Sequence, residues 1–122
     1  MRIDRLALGR DGEARAAAHL EAAGLRVLER NYRCRFGEID IVAIEGDTTL
    51  VLVEVRLRSR TDYGGAAASV DRPKQRRLVS AARHLLMRQP RLARLPARFD
   101  VIELEPDGSG YRVSWHRSAF ES

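Results

Sequence analysis

At 122 residues, 44% hydrophobic and 32% charged, the chain has room for one real core and is too apolar to stay disordered, so one domain over 1–122 is expected. Its longest aliphatic run, LVLV at 50–53, is far too short to cross a bilayer, which excludes a helical membrane protein. The net charge of +5 hides an uneven division: Lys+Arg against Asp+Glu count 8 and 10 over residues 1–54, 12 and 2 over 55–98, and 2 and 5 over 99–122. The middle therefore carries +10, almost all of it arginine. Such a block is either a solvated helix face or a face for a polyanion, because guanidinium forks match phosphate oxygens.

The N-terminal MRIDRLALGRDGEAR scatters charges of both signs with no apolar segment before a cleavage site, so no signal peptide and a cytoplasmic location are expected. Residues 11–23, DGEARAAAHLEAA, are alanine-rich and stop at Gly24, which predicts a helix. Glu13, Ala16, Ala17 and Leu20 share its apolar stripe. Glu13 is thus a core-facing carboxylate or a first-turn acid that suits the helix dipole. LRVLERNYR at 25–33 predicts an edge-like first strand, followed by the polar CRFG. The single Cys34 allows no internal disulfide, and His19, His84 and His116 do not complete a Cys/His zinc pattern.

Runs at 38–45 and 49–58 are β-rich and joined through Gly46-Asp47, which predicts an antiparallel hairpin. Each run holds a carboxylate that burial would not tolerate alone: Asp40 between Ile39 and Ile41, and Glu54 between Val53 and Val55. Strand alternation puts Asp40 with Val42 and Ile44, and Glu54 with Leu50, Leu52 and Arg56. Across the hairpin Asp40 then lies almost opposite Glu54, so the acids converge. The pair is either a buried ion-pair cluster or a site.

SRTDYGGAAASVD at 59–71 predicts a loop leaving the sheet beside these acids. Pro73 opens a second helix through KQRRLVSAARHLLMRQ, with Leu78, Ala81, Ala82, Leu85 and Leu86 buried and Lys74, Arg76, Arg77 and Arg83 on its flanks. RFDVIEL at 98–104 and YRVSWH at 111–116 predict two more strands about the turn 107–110. The order αβββαββ predicts an α/β fold, a mixed sheet flanked by two helices.

Two strand carboxylates with a third on a helix form the oxygen-only donor set that Mg2+ or Mn2+ prefers, and the matching chemistry is phosphodiester hydrolysis. Asp40 and Glu54, with the Val55 carbonyl, would hold the metal. Arg56, on the Glu54 face, would meet the phosphate; it can stabilise negative charge but cannot act as a general base.

GRDGEARAAAHLEAAG, RNYRCRFGEIDIVAIEGDTTLVLVEVRLRSR, GGAAASVDRPKQRRL and RFDVIEL resemble successive blocks of the YraN family of uncharacterised bacterial proteins, over residues 9 to about 120. The resemblance implies a restriction-endonuclease-like fold of the PD-(D/E)XK superfamily, similar to archaeal Holliday-junction resolvases. In that superfamily a helix Glu, a strand Asp and an E-x-K on the next strand bind metal and cleave DNA. Carried onto this chain, it implies Glu13, Asp40 and Glu54 as metal-binding acids and Arg56 in the place of the usual Lys. Arg58, Lys74, Gln75, Arg76 and Arg77 are expected to contact nucleic acid. The expected activity is a metal-dependent endonuclease of structured or branched DNA, and a resolvase-like role would call for a homodimer. Two other classes fit the same residues: a nucleic-acid-binding module without strong catalysis, and a protein-interaction domain whose basic face meets an acidic partner.

Overall fold

The apolar runs of the central strands are buried because a helix covers each face of the sheet that they form. The structure, a computed structural model, describes residues 5–58 and 70–121. In chain order come α1 (Arg5–Ala22), β1 (Leu25–Cys34), β2 (Gly37–Glu45), β3 (Thr49–Leu57), α2 (Arg72–Arg88), a short 3-10 turn (Leu92–Arg94), β4 (Ala97–Asp107) and β5 (Gly110–Phe120). This is the α/β order expected from the sequence. The sheet runs β1-β2-β3-β4-β5, so β1 is an edge strand as its polar composition suggested. Neighbours are antiparallel except β3 and β4, which run parallel and are joined by the crossover that carries α2.

On one face Ala16, Ala17 and Leu20 of α1 pack on Ile41, Ala43, Val51, Val53, Ile102 and Leu104. On the other, Leu78, Ala81, Ala82 and Leu85 of α2 pack on Val42, Leu50, Leu52, Phe99 and Val101. Burial on both faces is what the near-continuous apolar β2 and β3 required.

α1 starts at Arg5, well before the predicted residue 11. Gly9 and Gly12 lower helix propensity and hid this first part. Gly12 is there for packing: a Cβ on it would meet Leu104 Cδ1 at 3.0 Å, so α1 crosses β4 closely at this point. β4 and β5 also run further than predicted, through Pro106, which pairs with Tyr111 near the strand end where a missing N–H costs little. Of the predicted loop 59–71, residues 59–69 lie outside the described residues. Val70 is fully buried in the α2-side core, and Asp71 is the N-cap of α2, its Oδ1 accepting the Lys74 N–H at 2.9 Å. Among the described residues, no helix is long and apolar enough to cross a membrane.

Candidate active site

The β2–β3 ladder ends at the pair Ile41–Val53, and the next residues outward are Asp40 and Glu54, facing each other as the hairpin implied. Asp40 does not extend the ladder. Its Oδ2 instead accepts the Val55 N–H at 2.8 Å, so a side chain takes the place of a strand carbonyl. The alternation of β2 breaks at the same point, since Ile39 packs in the α2-side core and Ile41 in the α1-side core. The simple expectation that Asp40 shares a face with Val42 and Ile44 therefore does not hold through the bend. Asp40 lines a cavity of about 310 Å3 with Gly12 and Glu13 of α1, Val55, Arg56 and Leu57 of β3, and Leu104.

Glu54 is 3% exposed and belongs to the α2 face, where Lys74 Nζ stands 2.6 Å from its Oε1. Asp71 and Pro73 set this contact by starting α2 so that Lys74 falls in its first turn. Burial and the adjacent Asp40 carboxylate push Glu54 up to about 7, and Lys74 only partly offsets them. Asp40 is likewise raised, chiefly by burial, against the lowering pull of the Val55 hydrogen bond. Glu13 is raised by burial and by the Asp40 charge, and its Oε1 is buried with no hydrogen-bond partner. The cavity thus brings Glu13 to Asp40, and the helix dipole is no longer needed to explain Glu13.

Among the described residues, no group of three or more His, Cys, Asp or Glu side chains is placed to hold a metal ion. Asp40 and Glu54 are together, and Glu13 faces Asp40 from the α1 wall. Arg56 lines the cavity and lies in register with Glu103 of β4.

The expected nucleic-acid contacts separate. Arg76 is exposed and lines a cleft of about 700 Å3 on one flank of α2 with Arg72 and Arg83. Arg77 is exposed on the other flank, lining a cavity of about 410 Å3 with Arg33, Arg35 and Lys74. Gln75 points back into the fold, its Nε2 donating to the Val70 carbonyl at 2.8 Å. Arg58 reaches Glu103, with Nη1 3.3 Å from Oε2. Glu103 is itself 3% exposed and stands 3.0 Å from His116 Nε2, a buried acid that the sequence reading passed over. Its signal was present: Glu103 interrupts VIEL as Glu54 interrupts LVEV. The Lys74–Glu54 contact had no such signal, because it depends on the parallel β3–β4 pairing that swings the start of α2 over the end of β3.

The model of "Uncharacterised protein family UPF0102" matches residues 12–104. The chain belongs to this family. It is the family to which the resemblance pointed. The chain is 50% identical over 115 residues to a UPF0102 protein of Alcanivorax borkumensis, covering 93% of this chain and 91% of that one. A UPF0102 protein of Cupriavidus taiwanensis is 52% identical over 118 residues, 97% of this chain and 86% of its own. One of Stutzerimonas stutzeri is 49% identical over 114 residues, 93% and 94%. Glu13, Asp40, Glu54, Arg56 and Lys74 all fall inside the stretch matched by the UPF0102 model, whereas His116 lies beyond it.

Proposed function

We propose that this UPF0102 protein is a metal-dependent endonuclease acting on structured or branched DNA. The observation that carries the reading is a set of crowded carboxylates short of positive charge. Burial raises the proton affinity of both Asp40 and Glu54, the Asp40 charge raises Glu54 further, and facing Asp40 the Glu13 Oε1 is buried without a partner. Oxygens so placed favour a cation. The donors are all oxygen, as Mg2+ or Mn2+ prefers; Asp40 and Glu54 stand together as the pair that would hold it, and Glu13 lines the cavity on the Asp40 side. Bound there, such a metal supplies a Lewis acid and an acidified water.

The chain's own cations supply the rest. Arg56 keeps its charge at any working pH and can stabilise negative charge at the phosphate. A second cation stands on the other side of the acids: the Lys74 ammonium group lies against Glu54 and can hold that carboxylate and a phosphate oxygen in place. The arginines on both flanks of α2 offer the phosphate backbone two basic surfaces.

Incubation of purified protein with four-way junctions, flaps, duplexes and single strands in Mg2+ or Mn2+ tests the reading. Cutting is expected, and Asp40→Ala and Glu54→Ala should lower it by at least about a hundredfold. The reading fails if no substrate is cut or if both variants cut like wild type. Arg56 favours one second reading, a nucleic-acid-binding module without strong catalysis. Calorimetry with Mn2+ separates the two, since stoichiometric metal binding lost in Asp40→Asn belongs only to the nuclease.

A further inference from the structure

We propose that Phe36, at the turn between β1 and β2, is a stacking platform for an unpaired base of the bound nucleic acid. The proposal rests on the nucleic-acid reading above and names a substrate feature, an unstacked nucleotide beside the site. Phe36 is 51% exposed, and no other aromatic stands among the exposed large hydrophobic side chains of the described residues. One exposed ring is ordinary on a protein surface, and what singles out Phe36 is the cationic cavity that it lines.

The ring is held on a firm support. A Cβ on Gly37 would stand 2.5 Å from the Arg77 carbonyl oxygen, so the backbone of the turn lies directly against the backbone of α2. The ring centroid is 6.0 Å from that of His84, and the Arg35 guanidinium carbon is 5.5 Å from it. Next to the ring opens the cavity of about 410 Å3, whose walls bring Arg33, Arg35, Lys74 and Arg77 against the single acid Glu38. An aromatic face beside a cationic groove is the arrangement by which proteins hold single strands, the ring taking a base and the cations its phosphates. A docking peptide would also value an exposed phenylalanine, but the excess of cations favours a polyanion.

The platform is coupled to the carboxylates. Lys74 lines its cavity and reaches Glu54, and Phe36 precedes Asp40 by four residues, no more than about 14 Å of chain. A base lifted onto Phe36 would thus leave its strand running towards Asp40 and Glu54. Continuous duplex keeps its bases stacked and offers the ring nothing, whereas junctions, flaps and single strands present such a base.

Binding is measured in EDTA at low salt, with oligonucleotides of equal length carrying 2-aminopurine at an unpaired or a paired position. Wild type should bind the unpaired form on the order of tenfold more tightly and quench its fluorescence. Phe36→Leu should lose both the preference and the quench while still binding duplex, and Phe36→Trp should keep both. Fluorescence quenching unchanged in Phe36→Leu, or wild-type binding without preference or quench, overturns the platform, leaves the nucleic-acid reading standing and gives the ring to a protein partner. Failure of wild type to retain any oligonucleotide overturns the nucleic-acid reading and the platform with it.

Discussion

Glu54 is a carboxylate in a place that favours its neutral form. Burial and Asp40 raise it to about 7 from an ordinary 4.5, while Lys74 holds part of its charge. Between those two values the folded chain binds more protons at this position than the unfolded chain does. The stability it contributes is therefore fully present below about pH 4.5 and is lost as pH rises through about 7. Asp40 is raised for the same chief reason and adds a slope of the same sign. Glu54→Gln keeps the shape and removes the charge. From pH 5 to pH 8 in EDTA, wild type should lose about 1–3 kcal/mol relative to Glu54→Gln. Urea unfolding at the two pH values measures this, and a gap that stays constant or closes as pH rises contradicts the crowding of the two acids.

At the scale of elements, the position of Lys74 depends on where α2 begins. Asp71 accepts the Lys74 N–H and precedes Arg72 and Pro73, so cap and proline fix the first turn together. Asp71→Ala should cost about 1 kcal/mol in urea unfolding, and Asp71→Asn, which keeps the accepting oxygen, should cost little. Equal losses in the two variants would mean that the Asp71 charge acts and the cap does not. Pro73 and the apolar stripe behind it made this helix legible in the sequence, and Gly46-Asp47 did the same for the hairpin that pairs Asp40 with Glu54. Other features were not legible, for physical reasons. The bend at Asp40 breaks an alternation that sequence reading must assume, and the glycines of α1 look like helix breakers until β4 is seen packed against Gly12. The contact between Lys74 and Glu54 joins a helix to a strand through a parallel crossover, a long-range arrangement with no local signature.

At the scale of the molecule, the cations of the first three turns of α2, part of the +10 segment, divide between two surfaces. Arg72, Arg76 and Arg83 line one flank of α2, and Arg77 joins Arg33 and Arg35 of the β1 end on the other. The second surface contains the route to the carboxylates through Lys74. The first shares no lining residue with the carboxylate cavity, so under the proposed nuclease function it would hold backbone outside the site. Binding that neutralises phosphates releases counterions, and the slope of log K against log[salt] falls by about 0.9 for each duplex phosphate contact removed. The triple change of Arg72, Arg76 and Arg83 to Ala should therefore flatten the slope for duplex by up to about 2.7. Fold stability should not suffer, because Arg72 and Arg76 stand one turn apart with like charge. The same change should leave the 2-aminopurine quench at Phe36 in place, since that ring belongs to the other flank. An unchanged slope in a folded triple variant would assign this flank to solvent and confine the nucleic acid to the Phe36 side, where Arg33, Arg35 and Arg77 would have to carry the whole salt dependence.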